Sequence, residues 1–278
     1  MPTDLFRSIL KRVASEVSGI HRCTISGFGE FSMDPDWVHK LEIARRYFNE
    51  SLHVITNLAG VHDSRQIAAL SRLATEIRIS INATTPEVFC RVHCTENSAA
   101  FAHQEYVIRE LARLKPAGHL LRLSFVAVKE NIHQYKEWIT RWQHVVDEIE
   151  VWQPHNWVDG RSYRAPSPRR LHTCGRPFHG PLQVQVDGTM NVCCFDYNGE
   201  LLIGDLRVSS FDEILSGEKM SHIRSHHRDG NADRLAPCRL CDQRDLPAER
   251  QKYLLYCNWE STAERVMLTS SAKEKIPV

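Results

Sequence analysis

Five cysteines in the last third of the chain have the types and spacing of metal ligands. Cys174 stands alone, and Cys193 and Cys194 are adjacent. Cys238 and Cys241 form a CxxC, in which both sulfurs can face one ion or one cluster edge. Thiolates drawn from three separated places can hold a four-thiolate zinc ion or an iron–sulfur cluster. The spacing does not choose between zinc and iron, and free buried thiols are the alternative to either.

The adjacent cysteines end a segment, LQVQVDGTMNVCC, that has the pattern of a β-hairpin. Its Asp187-Gly188 dipeptide is typical of a hairpin turn. Successive residues of a strand point to opposite faces of a sheet, so Cys193 and Cys194 should not share one role. We expect one of them to bind and the other to be packed, and the alternation leaves open which one binds.

Histidines supply a second set of candidate ligands. His172, His179, His226 and His227 all lie in or beside the cysteine-rich part. The pair His226-His227 stands in SHHRDG, a polar stretch that we interpret as a solvated loop. The four histidines are kept as possible extra ligands beside the thiolates.

The composition is that of a globular protein without a strongly charged surface. Of the 278 residues, 42% are hydrophobic and 25% are charged, and the formal net charge is +1. This balance indicates neither a nucleic-acid surface nor binding to an anionic membrane. No apolar run approaches the roughly 20 residues of a membrane span, and the amphipathic start lacks the apolar core of a signal peptide. We therefore expect a cytoplasmic protein, in which an odd count of nine cysteines argues against a disulfide framework.

Residues 1–160 alternate strand patterns with helix patterns. Helices are predicted near the N-terminus, after Asp34-Pro35-Asp36, over 64–73, up to residue 114, and over 132–146. The predicted strands are 22–26, 52–56, 76–82, 120–128 and 148–153. Five strands separated by helices predict an α/β fold with a parallel sheet, wound as an open or closed barrel.

The pattern changes after residue 160. Residues 161–173, RSYRAPSPRRLHT, are basic and contain two prolines, which is typical of a linker. A cysteine-rich domain is predicted over 174–260, with a short capped helix at 209–217, and a flexible polar tail over 261–278.

The order of features over residues 174–241 resembles the C-terminal auxiliary-cluster domain of radical S-adenosylmethionine enzymes, of the SPASM or twitch type. A first cysteine is followed by a strand, Asp-Gly, a strand ending in cysteine, a Gly-Asp-Leu step, the SFDEI helix and a closing CxxC. The resemblance implies a small α+β domain with one auxiliary [4Fe–4S] cluster. It implies Cys174, Cys238 and Cys241 as ligands together with Cys193 or Cys194, of which Cys193 is preferred.

The first part of the chain resembles the barrel of the same enzyme family. ISGFGEFSMDPDW is similar to the turn that holds the amino group of S-adenosylmethionine, with Gly27, Gly29 and Glu30 at the matching places. Glycines let the backbone approach a ligand, and a carboxylate pairs with an ammonium group. The alternative is an ordinary strand–turn–helix with a surface glutamate.

Three further residues are implied as cofactor contacts, because they lie at or just after the ends of predicted strands, as in the family. They are Asn57, Ser80 and Asn82. The defining CxxxCxxC of the family is missing, and Cys90 and Cys94 imitate only its first half, so we interpret them as helix thiols. We therefore expect a partial (β/α)6 barrel without its first βα unit, and Met1 as an internal methionine of a longer enzyme.

The resemblance implies an enzyme that uses a 5′-deoxyadenosyl radical to abstract hydrogen from a peptide or small-molecule substrate. It also implies a reductant such as ferredoxin or flavodoxin. The missing motif keeps another class open, a non-catalytic iron–sulfur or zinc module that recognises a peptide or partner enzyme. The substrate, the reaction outcome and the oligomeric state do not follow from the sequence.

Overall fold

The structure is a computed structural model that describes residues 1–20, 22–27, 29–156, 163, 167, 169–246 and 253–259. Its α-helices are α1 Thr3–Glu16, α2 Trp37–Tyr47, α3 Ser64–Leu73, α4 Pro86–His93, α5 Ala99–Leu114, α6 Tyr135–Trp142, α7 Arg176–His179, α8 Phe211–Ser216, α9 Glu218–Arg228 and α10 Ala236–Arg239. Its strands are β1 Cys23–Ile25, β2 Leu52–Thr56, β3 Glu76–Ser80, β4 Leu120–Val126, β5 Glu148–Trp152, β6 Gln183–Val184, β7 Thr189–Asn191, β8 Leu202–Asp205 and β9 Leu254–Cys257. None of the helices in the described ranges is long and apolar enough to cross a bilayer.

A six-stranded sheet organises the first compact unit, which contains the described residues of 19–154 and 254–259. Its strand order is β1-β2-β3-β4-β5-β9, with β1 to β5 parallel. The predicted α/β fold with five parallel strands is confirmed. Strand β9 pairs antiparallel with β5 at the edge, and the sequence analysis did not predict it.

The two faces of this sheet differ in chemistry. Alternate positions carry apolar side chains that are buried, among them Val54, Ile79, Leu123 and Val151. The other face carries charged side chains of neighbouring strands, which we call the sheet ion-pair network: Arg22, His53, Glu76, Arg78, Arg122, Glu148 and Glu150. Because the side-chain period of a strand is two, the parallel register places these groups side by side.

The second unit contains residues 1–18 and the described part of 155–253. Strands β6, β7 and β8 form its antiparallel sheet, and the predicted turn at Asp187-Gly188 joins the first two. Gly188 adopts φ +91°, which favours glycine. Helix α8 begins with a capping box in which Ser210 and Glu213 bond each other's backbone, as its sequence predicts.

Helix α1 belongs to this second unit. Ile9 packs in one core with Met190 and Phe211, and Arg12 donates a 2.8 Å hydrogen bond to the carbonyl of Ser209. The compact units therefore divide the chain differently from the predicted ranges 1–160 and 174–260. The reason is that apolar helix faces and strand edges find partners distant in sequence. Residues 261–278 and most of 157–168 lie outside the described residues.

Candidate iron–sulfur site

Four of the five candidate cysteines line one pocket in the second unit, which we call the cysteine pocket. They are Cys174, Cys193, Cys238 and Cys241. The pocket encloses about 410 Å³ of empty space, part of it open to solvent. Cys194 is not among its lining residues. The structure therefore places Cys193, rather than Cys194, beside the other three thiols.

Local structure brings these cysteines together. Cys174 immediately precedes Gly175, which is in the left-handed region at the start of α7. Cys193 lies just after the end of β7, and Cys238 lies in α10, where Pro237 occupies the first turn. Cys241 follows as the residue that begins a short 3-10 helix. The hairpin and the CxxC thus approach the pocket from separate elements.

The thiols are held in surroundings that disfavour their ionisation. Burial raises the pKa of Cys193 to about 11 and that of Cys238 to about 12. Burial likewise raises the pKa of Cys241 above its ordinary value. A bound metal centre reverses this preference, because a coordinating thiol is deprotonated outright. Loading the pocket must therefore displace protons from these sulfurs.

Backbone N–H groups nevertheless point at two of the sulfurs. The N–H of Phe195 donates to Cys193 Sγ over 3.4 Å. The N–H of Gln243, again two positions after the cysteine, favours the ionised form of Cys241 and so opposes the effect of burial on its pKa. Such N–H donors stabilise a thiolate ligand rather than a neutral thiol. The pocket is thus built for sulfurs that carry negative charge.

Arg176 supplies a positive charge beside these sulfurs. Burial alone lowers the pKa of its guanidinium, and the sulfurs of Cys194, Cys193 and Cys174, when they are ionised, raise it above its ordinary value. The guanidinium also lies 5.4 Å from the centre of the Phe195 ring. A cation at this position offsets part of the negative charge that several thiolates would bring.

Asp196 shapes the loop that presents Cys193. The side chain is fully buried, and its carboxylate accepts from the N–H groups of Glu200 and Leu201, at 3.0 and 2.6 Å. It also accepts from Asn191 Nδ2, whose side-chain oxygen accepts from the N–H of Cys193. The sequence analysis did not single out this aspartate. An acidic residue two positions after the Cys193-Cys194 pair was the available signal.

Two arginines hold the CxxC turn from outside. Arg170 donates to the carbonyls of Cys238, Arg239 and Cys241. Arg244 donates to the carbonyl of Cys238 over 3.2 Å and pairs with Asp233 at 2.6 Å. These contacts satisfy carbonyls that a four-residue helix cannot satisfy itself. The turn that carries two of the thiols is therefore fixed before any metal binds.

The sulfurs are not arranged for a single ion. Among the described residues, no three His, Cys, Asp or Glu side chains converge closely enough to hold one metal ion. Around zinc, thiolate sulfurs lie about 3.8 Å apart, because each Zn–S bond is about 2.3 Å long. In a four-iron cluster each thiolate binds a different iron, so the sulfurs stand farther apart. The four cysteines lie around one pocket and come from three separate stretches of the chain.

The histidine prediction needs a correction at one residue. SHHRDG is not a solvated loop, since its two histidines lie in α9, and His227 is buried. His227 lines the cysteine pocket because it lies on the buried face of α9. Burial, together with the charge of Arg244, lowers the pKa of His227 to about 4. His172 and His179 are exposed, and neither lines the pocket.

Glu30 of the first unit is committed to its own loops. Its Oε1 accepts from Ser32 Oγ at 2.8 Å, from the N–H of Ser32 at 3.2 Å and from Thr56 Oγ1 at 2.6 Å. Its Oε2 accepts from the N–H of Asn57 at 2.6 Å. A carboxylate offers about four acceptor positions, so these four bonds leave little capacity for a ligand ammonium group. In this structure Glu30 joins the loops after β1 and β2.

A close approach between these two loops requires Gly60. A Cβ at this position would meet the carbonyl oxygen of Ser32 at 1.9 Å, and its N–H donates to Ser32 Oγ at 2.9 Å. Gly27 and Gly29 differ, because a Cβ at either would meet no atom within 4 Å. Both glycines are exposed, so the space beside them is open.

The other predicted cofactor contacts follow strands of the same sheet edge. Asn57 Oδ1 accepts from the N–H of Ala59, and Asn82 Oδ1 accepts from the N–H of Val126. Ser80 Oγ lies 3.5 Å from a neighbouring serine hydroxyl. Buried Gln104, which sequence reasoning missed, donates to the carbonyls of Asn57 and Ser80 at 2.9 and 3.0 Å. Gln104 thus links the loop after β2 to the end of β3. The side-chain oxygens of Asn57 and Asn82 already accept hydrogen bonds from backbone N–H groups.

Comparison with known proteins bears directly on the cysteine pocket. A crystal structure of selenomethionine-labelled BtrN in an open conformation is similar over 87% of this chain and 78% of that chain, at 14% identity and a TM-score of 0.47. BtrN in complex with AdoMet and 2-DOIA is similar over 94% and 81%, at 13% identity and a TM-score of 0.44. No curated protein matches the chain by sequence. Residues 174–242 match the model of the SPASM family, which is described as an iron-sulfur cluster-binding domain.

Proposed function

We propose that Cys174, Cys193, Cys238 and Cys241 hold one [4Fe–4S] cluster, and that the chain works as part of a radical S-adenosylmethionine enzyme. The observation that carries the cluster is the convergence of four thiols on one pocket, in a segment that matches an iron–sulfur family. A cluster with four cysteine ligands supplies one-electron chemistry. The proposed role is to pass an electron or to hold the substrate near the site of hydrogen abstraction.

The chain's own residues prepare this site in three ways. N–H donors at Phe195 and Gln243 stabilise thiolates, while Arg176 offsets their charge. Arg170 and Arg244 fix the CxxC turn. Val192, Leu201 and Ile223 line part of the pocket and limit the access of water to it, which favours a stable cluster environment.

The first experiment is reconstitution of the full chain under anaerobic conditions, followed by iron, sulfide and zinc analysis. We expect about four irons with matching sulfide per chain and a visible iron–sulfur spectrum. The Cys238→Ala variant should retain less than about half of this iron, because an iron loses its thiolate. Cys94→Ala is the matched control, since Cys94 is exposed at the end of α4. One zinc per chain without visible absorbance would contradict the proposal.

S-adenosylmethionine binding is the second part of the proposal. It rests on the open space beside Gly27 and Gly29 and on the polar residues gathered at the carboxyl edge of the parallel sheet. Ligands of open α/β sheets bind at that edge. Binding requires Glu30 to release at least one of its present hydrogen bonds. Hydrogen abstraction from a peptide or small molecule, and reduction by a ferredoxin or flavodoxin, are proposed with it.

One observation favours a second function, a non-catalytic iron–sulfur module that recognises a peptide or partner enzyme. Glu30 already accepts four hydrogen bonds from the chain, and the sequence contains no CxxxCxxC. Calorimetric titration of the reconstituted chain with S-adenosylmethionine discriminates the two. Binding that is weakened by Glu30→Gln and unaffected by Glu42→Gln supports the enzyme. No binding by a chain that carries a full cluster supports the module.

A further inference from the structure

The ring of His227 connects the cysteine pocket to a buried hydroxyl. Its Nδ1 lies 2.8 Å from Thr173 Oγ1, and its Nε2 lies 3.6 Å from Cys238 Sγ. The exposed fractions of His227, Thr173 and Cys238 are 1%, 4% and 8%. Both nitrogens of the ring therefore have a protein partner, and water has little access to either contact.

The direction of these hydrogen bonds follows from counting protons. Thr173 Oγ1 accepts from the N–H of Gly175 at 3.0 Å, and its hydroxyl has one proton to donate. A metal-bound cysteine is a thiolate and has no proton. Toward that thiolate, His227 Nε2 must be the donor. A neutral imidazole has one N–H, so Nδ1 is then the acceptor of the Thr173 proton.

In this series of hydrogen bonds, each donor has one acceptor. Gly175 N–H donates to Thr173, Thr173 donates to His227, and His227 donates to the sulfur of Cys238. It is the side-chain counterpart of the backbone N–H groups that reach Cys193 and Cys241. Unlike those two donors, it can be removed by substitution.

We infer that His227 is a positioning residue for the cluster: it donates Nε2–H to the sulfur of Cys238, in an orientation fixed by Thr173, and thereby raises the reduction potential. The inference rests on the proposed function, since it concerns a cysteine ligand of the proposed cluster. A hydrogen bond to a ligand sulfur stabilises the reduced state more than the oxidised state, because the reduced state carries one more negative charge. A partner of a metal ligand also fixes that ligand's orientation.

A purely structural role predicts different behaviour. If His227 only fills space, an apolar ring of similar size should leave the reduction potential unchanged. If it donates to the sulfur, removal of the N–H should lower the potential, and an amide N–H in a similar place should restore it. Gln places its amide nitrogen near the position of the histidine Nε2.

The test is a redox titration of the reconstituted full chain, followed by electron paramagnetic resonance. His227→Phe should reduce the equilibrium constant for reduction about tenfold, which is about 59 mV for a one-electron couple. His227→Gln should recover most of this loss. Thr173→Val should shift the potential in the same direction by less, because the ring keeps its Nε2–H but loses the anchor of its orientation. His226→Phe is the control, since His226 packs on His222 in the same helix.

The outcomes separate the inference from the function on which it rests. Equal potentials in wild type, His227→Phe and Thr173→Val, each with about four irons per chain, would overturn the inference and leave the cluster in place. A wild-type chain that takes up no iron would instead remove the proposed function. If His227→Phe fails to fold by circular dichroism, the comparison of wild type, His227→Gln and Thr173→Val decides, with an unshifted Thr173→Val counting against the inference.

Discussion

Two buried clusters of polar side chains avoid uncompensated buried charge in opposite ways. In the sheet ion-pair network, Arg122 contacts Glu148 at 2.7 Å and Arg78 contacts Glu150 at 2.7 Å. In the cysteine pocket, Cys193 receives a backbone N–H donor, while burial holds the pKa values of Cys193 and Cys238 well above the ordinary value. The network is completed by charges of the chain itself. The pocket instead holds neutral thiols, which must lose their protons before they can bind a metal centre.

The difference shows how a site for a foreign group can be told from a structural one. Buried charges are costly unless opposite charges and hydrogen bonds offset the loss of water. In the sheet ion-pair network, arginines and glutamates on adjacent strands provide these opposite charges and hydrogen bonds. Thiols avoid the cost by remaining protonated, and so they stay available for a metal. Variants of the two clusters should therefore respond differently, and four predictions test this.

The largest effect is expected at the adjacent cysteines. Cys193→Ala should lower the iron content of the reconstituted chain to less than about half, because Cys193 lines the cysteine pocket. Cys194→Ala should retain the full content, since Cys194 does not line it. Iron and sulfide analysis measures both. The reverse result would move the ligand to Cys194, and loss in both would contradict the division of roles.

A large loss of stability is expected when the network loses one charge. Arg122→Leu leaves Glu148 without its closest partner and weakens the charge contact with Glu76, at 3.8 Å. We expect the free energy of unfolding to fall by about 3–5 kcal/mol, as for other broken buried ion pairs. Denaturant unfolding measures it, with Arg72→Leu as the exposed control. The iron content of the folded variant should not change, and a loss of iron would contradict the independence of the two clusters.

An intermediate effect is expected at Asp196, where one substitution should change both the free energy of unfolding and the retention of iron. Asp196→Asn places an NH₂ group against a buried donor, because the N–H of Glu200 bonds one carboxylate oxygen and that of Leu201, with Asn191 Nδ2, bonds the other. The free energy of unfolding should fall by about 1–3 kcal/mol, the usual cost of an unsatisfied buried group. The rate of iron loss to a chelator should rise as well. Asp4→Asn, at an exposed position, should change neither quantity.

The smallest effect concerns pH and the neutral histidine of the network. Burial, with the charges of Arg22, Arg78 and Arg122, lowers the pKa of His53 to about 3. The unfolded chain binds a proton below about pH 6.5, whereas the folded chain does not, so stability falls as pH falls from 6.5 toward 3. Between pH 6.5 and 5 this contribution is at most about 2 kcal/mol.

The His53→Gln variant isolates this contribution. Its free energy of unfolding should depend less steeply on pH between 6.5 and 5 than that of the wild type, because glutamine binds no proton. Denaturant unfolding at several pH values measures the difference. Parallel curves for the two proteins would show that His53 is protonated in the folded chain. His39→Gln, at an exposed position, should leave the wild-type slope unchanged.

Local patterns accounted for much of the fold. Strand β2 and helix α3 begin and end at the predicted residues, because the alternation of LHVIT and the helical period of SRQIAALSRL are properties of neighbouring residues. The hairpin turn at Asp187-Gly188 and the capping box of α8 are equally local. The three separated cysteine loci also followed from spacing, because a CxxC and a hairpin end define where sulfurs can point.

Tertiary structure alone decided the features that depend on distant partners. Strand β9 joins β5, and α1 packs with β7 and α8, because exposed strand edges and apolar faces are covered by segments far away in the chain. Strand alternation separated Cys193 from Cys194 but did not say which one faces the pocket. The carboxylate of Asp196 and the course of the loop determine that. His227 looked solvated in SHHRDG, and only the packing of α9 brings it to Cys238, since burial is a property of the assembled core and not of six residues.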